Sequence, residues 1–324
     1  MRRLKSFLKY TVIGFVVLLL AFTLFMVSFL FGNDAPIISG KTEAGIVYKN
    51  ELKLDLYRPT KNVFEASPVV LYIHGGAWIA GTKGSVNFNR VNGAINTLRD
   101  KGYTIISPDY SLAGEGRSVF PECILDVYDA IQWTKANASV YDLDTTNIGL
   151  MGESAGAHIA MMIAFPDTTL QRTKYEKTSF SYLVDIYGPN DLTDLYRGES
   201  VEKIDASIRK VSKVFGSTFN IKEYVFGFDP AKDSARAYEL LYRFSPMNIL
   251  TWKKFPVLII HGKGDQVVPV EQSIKLKTKL DELGIPNEIH LLDSVDHNFR
   301  KATEQQKDSI QTWISDFVGR SYRN

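Results

Sequence analysis

The sequence contains few of the residues that disulfide scaffolds and metal clusters need. Among its 324 residues there is one cysteine, Cys123, and there are five histidines. A single cysteine excludes an internal disulfide framework, a cysteine-rich zinc site and an iron–sulfur cluster. The chain also lacks a basic excess, because 38 lysines and arginines are balanced by 36 aspartates and glutamates. Binding to nucleic acid depends on clustered basic side chains, so we expect no nucleic-acid partner.

The remaining composition is that of an ordinary globular protein. Hydrophobic residues make up 45% of the chain and charged residues 23%, which is enough apolar material to bury a core. We find no internal repeat. At about 150 residues per domain the length fits two domains, but α/β folds of this size often form one. We therefore expect one large domain with an extra segment.

An uncharged apolar stretch runs from Thr11 to Phe31. As a helix it would measure about 31 Å, which is close to the hydrocarbon thickness of a bilayer. A cleaved signal peptide is the alternative, but its apolar region is usually shorter and ends at a small-residue cleavage pattern. We therefore interpret residues 11–31 as a transmembrane signal anchor. The four basic residues of segment 1–10 predict that this segment is cytoplasmic and that the rest of the chain is extracytoplasmic.

The body of the chain alternates between two kinds of apolar pattern. After a linker over residues 32–44, alternation within Gly45–Lys49 and Glu51–Tyr57 predicts an antiparallel pair of strands. Short unbroken apolar runs then predict strands that are buried on both faces. These runs are Val69–Ile73, Tyr103–Ser107, Ile148–Met151, Tyr182–Ile186 and Val257–Ile260. A last, alternating strand is expected at Glu288–Leu292.

Helical periodicity occupies the segments between the predicted strands. The apolar stripes are Phe88, Val91, Ile95 and Leu98; Ile124, Val127, Tyr128 and Ile131; Leu276, Leu280 and Leu283; and Ile310, Trp313, Ile314 and Phe317. Strands that alternate with helices predict right-handed βαβ units and a mostly parallel sheet with helices on both faces. Residues 191–245 break this alternation. We expect them to form a helical insertion that covers the site as a lid.

A G-x-S-x-G motif, Gly152–Gly156, stands between the predicted strand Ile148–Met151 and the apolar helix Ala155–Phe165. In this setting the motif forms a sharp strand-to-helix turn that projects the serine at the carboxyl end of the strand. The motif by itself is weak, since a chain of this length contains one by chance in about one case in ten. A helix N-cap is the alternative role for Ser154. The strand–turn–helix setting favours Ser154 as a nucleophile.

A second glycine motif, His74-Gly75-Gly76-Ala77-Trp78, follows the predicted strand Val69–Ile73. Glycines leave backbone N–H groups free to point into a cavity, and two or three such donors are what an oxyanion requires. A tight turn closed by a packing tryptophan explains these residues equally well when they are considered alone. The candidate nucleophile in the same sheet favours the oxyanion role.

A serine hydroxyl needs a base that takes its proton, and histidine is the usual base near neutral pH. His297 follows the last predicted strand in a polar loop, where no core requires it. Loops at the carboxyl ends of parallel strands carry the sites of α/β proteins. We therefore favour His297 as the base. The other histidines are expected to have packing or loop-orienting roles; they are His74, His158, His261 and His290.

A carboxylate is then needed to orient the histidine. Asp265 directly follows the predicted strand Val257–Ile260 and lies between the serine and the histidine in the chain. Asp296 is the alternative, but adjacent residues in an extended loop tend to point apart. We therefore favour Asp265 as the partner of His297.

The order Ser154, Asp265, His297, with the glycine loop upstream, resembles the α/β-hydrolase fold. Within that fold the two glycine motifs are similar to those of an esterase/lipase group. This group contains hormone-sensitive-lipase-like acetylesterases, kynurenine formamidase-like enzymes and feruloyl/acetylxylan esterase-like proteins. The stretch Pro108–Ala113 resembles a segment that those families carry after the next strand. The resemblance covers about residues 45–320.

Two positions depart from the lipase-like pattern. Ala77 makes the first motif closer to H-G-G-x-W than to a triple-glycine motif, and Ser111 stands where lipase-like members often have arginine. Both departures weaken assignment to the hormone-sensitive-lipase branch. They leave the three catalytic candidates untouched.

The resemblance implies an α/β-hydrolase fold over residues 45–324. The expected architecture is a mostly parallel central sheet with helices on both faces and a helical lid insertion, preceded by one transmembrane helix. The expected activity is carboxylic-ester hydrolysis through the Ser154, His297 and Asp265 triad and an acyl-enzyme, with no cofactor and no metal. The expected oxyanion donors are the backbone N–H groups of Gly76, Ala77 and Ala155.

The expected partners are the membrane, through the N-terminal helix, and a small-molecule ester. An aromatic lid favours small or moderately apolar acyl esters, such as acetyl esters, over a long polymer chain. An amidase or peptidase on the same fold would use the same triad, but no large extra domain is present to gate peptides. A catalytically silent surface interaction module normally lacks one triad member, and all three candidates are present here.

Overall fold

One sheet organises the part of the chain that the structure describes. The computed structural model describes residues 40–88, 90–114, 116–165, 178–197, 202 and 221–323. These residues form eight strands in one sheet. In chain order, β1 to β8 are Thr42–Lys49, Leu52–Tyr57, Ser67–Ile73, Thr104–Pro108, Leu143–Glu153, Phe180–Ile186, Val257–Gly262 and Asn287–Leu292. Their order across the sheet is β1-β2-β4-β3-β5-β6-β7-β8.

Strand direction determines where the loops of this sheet meet. β1 is antiparallel to β2, and β2 is antiparallel to β4. All other neighbouring pairs are parallel. The carboxyl ends of β3, β5, β6, β7 and β8 therefore lie at the same edge of the sheet, which is the edge where α/β proteins place their sites.

Helices cover both faces of the sheet in the described residues. In chain order, α1 to α9 are Asn92–Asp100, Glu122–Ala136, Ala138–Tyr141, Ala155–Ala164, Leu192–Arg197, Ile221–Phe226, Ser234–Arg243, Glu271–Glu282 and Glu304–Arg320. α1 and α9 pack on one face, where Ile95 and Ile314 share an apolar cluster. α2, α4 and α8 pack on the other, through residues such as Ile131 and Leu276. Cover on both faces explains why β3, β4, β6 and β7 are buried at every position.

The predicted strands are all present, with shifted ends. β5 begins at Leu143 rather than Ile148, and β1 begins at Thr42, inside the segment predicted as a linker. The prediction that Phe88 belongs to an apolar helical stripe was wrong. This residue precedes α1 and is 45% exposed, because Thr82 caps a 3₁₀ turn, Lys83–Asn87, that ends at Phe88 before the helix begins.

Several predicted segments lie partly or wholly outside the described residues, including part of the predicted linker 32–44. The predicted cytoplasmic segment 1–10 and the predicted anchor 11–31 lie outside them. Among the described helices, none has both the length and the apolar character needed to cross a bilayer. Within residues 191–245, the described parts form α5, α6 and α7 and contain no strand. The helical character predicted for these parts is confirmed, and the lid role stays a prediction.

Candidate active site

Ser154 occupies a strained turn between β5 and α4. Its backbone has φ 53° and ψ −121°, a conformation that costs a non-glycine residue about 1–3 kcal/mol. The Ser154 N–H donates to the Ile186 carbonyl oxygen at 2.9 Å, and the Ser154 carbonyl oxygen accepts from the His158 N–H at 3.1 Å. The side chain makes no N-cap hydrogen bond. The turn therefore holds the hydroxyl away from the helix.

The two glycines of the motif permit the close contact that this turn needs. A Cβ on Gly156 would overlap the Ile73 carbonyl oxygen at the end of β3, and one on Gly152 would overlap the backbone of Gly156. A Cβ on Gly75 would lie 3.0 Å from the Glu153 carbonyl oxygen. Small residues are therefore required wherever the glycine loop after β3 packs against the serine turn.

His297 connects the serine to a carboxylate. Its Nε2 lies 3.1 Å from Ser154 Oγ, and its Nδ1 lies 2.7 Å from Asp265 Oδ2. The His297 side chain is 12% exposed, whereas the Asp265 side chain is fully buried. Asp296 faces elsewhere, since its carboxylate accepts a hydrogen bond from the Lys301 N–H at 2.9 Å. The structure thus brings the three predicted side chains together at the carboxyl ends of β5, β7 and β8.

Every oxygen of the Asp265 carboxylate has a hydrogen-bond partner. Oδ1 accepts from the N–H groups of Val267 at 2.8 Å and Val268 at 2.9 Å. Oδ2 faces both His297 Nδ1 and His261 Nε2. Burial acts to raise the pKa of Asp265, but the hydrogen bonds from His261 and His297 outweigh it and hold the pKa well below its usual range. Asp265 is therefore an anion at neutral pH.

His261 contacts the same carboxylate oxygen of Asp265 as His297 does. Its Nε2 lies 3.2 Å from Asp265 Oδ2 and 2.9 Å from the Val268 carbonyl oxygen. Two acceptors at one nitrogen assign the proton to Nε2, so Nδ1 accepts from the Ser273 hydroxyl at 2.7 Å. The loop-orienting role predicted for His261 agrees with these contacts.

The glycine loop after β3 has an unusual backbone. Gly76, Ala77 and Trp78 have φ values of 124°, 52° and 60°, and the Gly76 carbonyl oxygen accepts from the N–H groups of Ile79 and Ala80 at 3.0 Å. A Cβ on Gly76 would overlap the Ala80 carbonyl oxygen. Within the described part of the chain, the N–H groups of Gly76 and Ala77 have no acceptor. The loop therefore leaves these two predicted oxyanion donors available.

Three other histidines have packing roles. The His74 ring stacks on Tyr110 with centroids 4.2 Å apart, and the His290 ring stacks on Trp313 at 4.1 Å. His158 is fully buried against Trp78, and its Nε2 donates to the Phe244 carbonyl oxygen at 2.7 Å. Burial lowers the pKa of His158 to about 4, so this ring is neutral at pH 7.

Two residues next to the site have contacts that the sequence patterns do not predict. The Glu153 carboxylate accepts hydrogen bonds from the hydroxyls of Tyr72 and Tyr187. The Tyr187 ring lies 4.6 Å from the His297 ring. The signal that could have found them is an acidic residue inside the motif and a tyrosine directly after β6. In the described residues no group of histidine, cysteine, aspartate and glutamate side chains could hold a metal ion.

The sheet order, the strained serine turn and the contacts of His297 define an α/β-hydrolase fold. The profile of the family described as BD-FAE matches residues 54–280, and the chain belongs to this family. Among solved structures it is similar to esterase B from Lactobacillus rhamnosis, with a TM-score of 0.67, 18% identity and 95% of each chain covered. It is also similar to a truncated carbohydrate esterase from gut microbiota, with a TM-score of 0.66, 20% identity, and 87% of this chain and 97% of that chain covered.

Curated relatives match with somewhat higher identity. Esterase LipC of Mycobacterium tuberculosis is 28% identical over 224 residues, which are 68% of this chain and 50% of that protein. The isoprenylcysteine alpha-carbonyl methylesterase ICME of Arabidopsis thaliana is 26% identical over 307 residues, which are 90% of this chain and 66% of that protein. The chain spans half or less of the length of the first curated relatives it matches.

Proposed function

We propose that the protein is a serine hydrolase of carboxylic esters, with Ser154, His297 and Asp265 as its catalytic triad. The observation that carries this proposal is the position of the His297 ring, 3.1 Å from the Ser154 hydroxyl and 2.7 Å from the Asp265 carboxylate. This is the arrangement in which a base takes the proton of a serine while a carboxylate holds the correct tautomer. The names of LipC and ICME, an esterase and a methylesterase, support the same chemistry.

The reaction begins with attack of Ser154 Oγ on the ester carbonyl carbon. His297 Nε2 accepts the serine proton, and Asp265 stabilises the resulting imidazolium through the Nδ1–H hydrogen bond. The negative charge on the carbonyl oxygen is stabilised by the backbone N–H groups of Gly76, Ala77 and Ala155. Ala155 is suited to this because it is the first residue of α4, where N–H groups have no partner within the helix.

Collapse of the intermediate breaks the bond between the acyl carbon and the alcohol oxygen. His297 gives its proton to this oxygen, so the alcohol leaves and the acyl group stays on Ser154. Water then attacks the acyl carbon while His297 again accepts a proton. The carboxylic acid leaves, and the Ser154 hydroxyl is restored with no change in the protein.

We propose small or moderately apolar acyl esters, such as acetyl esters, as substrates. Support comes from the aromatic character of the described insertion, where Tyr196, Phe226 and Phe228 form a chain of ring contacts. Esters of graded acyl length, with acetylated sugars included, measure this preference. Highest kcat/KM for acyl chains much longer than acetyl would contradict it.

Substitution of the nucleophile tests the reaction class. Ser154→Ala is expected to abolish turnover of p-nitrophenyl acetate, whereas Ser309→Ala keeps it, because the Ser309 hydroxyl only donates to the Gln305 carbonyl oxygen within α9. A fluorophosphonate probe is expected to label Ser154 in the wild-type chain. Retained hydrolysis in Ser154→Ala, or labelling of another residue, would contradict the assignment. Faster turnover of the matching amide than of the ester would favour an amidase.

We also propose that residues 11–31 anchor the chain in a membrane, with residues 1–10 in the cytoplasm and the hydrolase domain outside it. Support comes from the uncharged apolar stretch and the basic segment before it. The full chain is expected to stay with membranes during alkaline carbonate extraction. Protease added to intact cells or spheroplasts is expected to digest the hydrolase domain. Release by carbonate, or full protection from protease, would contradict this topology.

A further inference from the structure

Glu153 is a buried carboxylate that has two tyrosine partners. The side chain lies between the hydroxyls of Tyr72 and Tyr187, and the Tyr187 hydroxyl donates to Glu153 Oε2 at 2.6 Å. Among the described residues, no lysine, arginine or histidine forms an ion pair with it. A buried carboxyl group is costly unless hydrogen bonds compensate it. The two tyrosine hydroxyls supply these hydrogen bonds, and one of the tyrosines also touches His297.

Tyr187 carries the contact from Glu153 to the candidate base. Its backbone has φ 43°, a strained value that persists only where surrounding contacts require it. The ring lies against the His297 ring with centroids 4.6 Å apart and planes tilted by 56°, and Phe299 packs against it at 4.8 Å. Burial, with a smaller contribution from Glu153, raises the pKa of Tyr187 well above its usual range. The hydroxyl therefore stays protonated and donates to Glu153.

The position of this ring matters because His297 changes charge in the proposed reaction. An aromatic ring attracts a cation through its electron-rich face. A hydrogen bond from a phenol to a carboxylate polarises the phenol, because bonds in such a network strengthen one another. The tilt of the ring brings part of this electron density next to the imidazole.

We propose that Glu153 and Tyr187 are positioning residues for His297. The Glu153 carboxylate fixes the Tyr187 hydroxyl, and the Tyr187 ring holds the imidazole in line with Ser154 and stabilises its protonated form. This inference rests on the proposed function for its effect on catalysis. In the described part of the chain, the charged or titratable groups next to His297 include Asp265, His261, Tyr187 and Asp296, with Glu153 and Arg90 beyond Tyr187.

The test compares Glu153→Gln and Tyr187→Phe with Tyr72→Phe in the full chain held in detergent. Tyr72→Phe is the matched control, because Tyr72 also donates to Glu153 and its substitution leaves the contact between the Tyr187 and His297 rings in place. The pKa of the His297 imidazole is read by NMR of 15N-histidine-labelled protein, with His297→Gln used to assign the signal. This measurement does not depend on ester turnover. Turnover of p-nitrophenyl acetate is measured over the same pH range.

Glu153→Gln and Tyr187→Phe are each expected to lower the pKa of His297 by about half a unit or more, since the imidazolium loses stabilisation. Their kcat is expected to fall about tenfold with little change in KM, because only a group that acts on the charged state is lost. The acidic limb of the pH profile moves to lower pH. Tyr72→Phe is expected to cause a smaller shift and a smaller loss.

An unchanged His297 pKa in both variants would overturn the inference, even with reduced activity, because that result assigns Glu153 and Tyr187 a purely structural role. Equal effects of Tyr72→Phe and Tyr187→Phe would also overturn it. Failure of the proposed function has a different signature. In that case the wild-type chain shows no Ser154-dependent ester turnover, while the NMR arm still reports whether the pKa of His297 depends on Glu153 and Tyr187.

Discussion

His261 Nε2 lies 3.2 Å from Asp265 Oδ2, the same oxygen that His297 Nδ1 contacts at 2.7 Å. Asp265 is thus held between two histidines with different surroundings. His261 is fully buried, whereas His297 reaches solvent. In the proposed mechanism His297 is the histidine that moves protons, and His261 holds the carboxylate that orients His297.

Replacement of His261 therefore removes one of the hydrogen bonds that hold the Asp265 carboxylate. His261→Phe keeps a ring of similar size but removes the donor to Asp265 and Val268. We expect kcat to fall about tenfold and the free energy of unfolding to fall by about 1–3 kcal/mol, because buried acceptors lose their donor. Ester kinetics and urea denaturation measure the two effects. Ser273→Ala, which leaves the Nε2 donor in place, is the control and should cost less in both; equal losses would contradict this role.

The choice between the two candidate carboxylates, Asp265 and Asp296, can be tested by one matched pair of variants. Asp265→Asn presents an amide to His297 Nδ1 and favours the wrong tautomer, so kcat is expected to fall by about 10⁴-fold. Asp296→Asn removes the carboxylate of the residue that precedes His297. This carboxylate accepts a hydrogen bond from the Lys301 N–H. Its activity should stay near that of the wild type. Steady-state kinetics of both variants suffice, and the reverse ranking would exclude Asp265 as the orienting carboxylate.

The buried ring of His158 predicts a pH dependence of stability. Burial lowers its pKa in the folded protein to about 4, whereas the unfolded value is about 6.5. The unfolded state therefore binds the extra proton first, and stability is lost as pH falls from about 6.5 toward about 4. The full effect is about 3 kcal/mol, from the size of the shift.

Urea denaturation at several pH values measures this effect. His158→Gln is expected to flatten the slope of unfolding free energy against pH in this window by up to one proton, whatever its stability at pH 7. His290→Gln, on the half-buried ring beside Trp313, is the comparison and should flatten it less. An unchanged slope in His158→Gln would show that the pKa of His158 is the same in the folded and unfolded states, which contradicts the prediction.

The two glycines Gly156 and Gly319 predict opposite effects of the same substitution. Gly156→Ala places a methyl group on the Ile73 carbonyl oxygen, so we expect a loss of about 2 kcal/mol or more and loss of ester turnover. Gly319, near the end of α9, has open space around a Cβ. Gly319→Ala is expected to add about 0.4–1 kcal/mol. Thermal unfolding compares the two, and a stable Gly156→Ala protein would contradict the close packing of the serine turn.

Much of the fold could be predicted from local patterns. The unbroken apolar run of β3 and the stripe of Ile124, Val127 and Ile131 in α2 each indicate their element within a few residues. Periodicity failed at Phe88, because the capped 3₁₀ turn before α1 interrupts a stripe whose spacing looks continuous. The antiparallel β1 and β2 were also predicted, but their place beside β4 depends on pairing between distant strands.

The candidate site likewise has residues that the sequence predicts and contacts that it does not predict. Ser154 and its glycines could be predicted because a strand–turn–helix is specified by residues next to one another. His297 and Asp265 were predicted from their places after strands. The contact of Glu153 with Tyr187 required the register of two strands, β5 and β6. The contact of His261 with Asp265 joins residues four apart and depends on the turn after β7. No periodicity carries that information.

The amino-acid sequence by itself determined the elements, the order of the candidate triad and the small residues of the serine turn, since each depends on short-range sterics and apolar spacing. Only the tertiary structure decided which carboxylate faces His297 and which side chain packs against the His297 ring. Both depend on how β5, β6, β7 and β8 align at one edge of the sheet. That alignment comes from long-range packing on two faces, in which each strand restrains its neighbours.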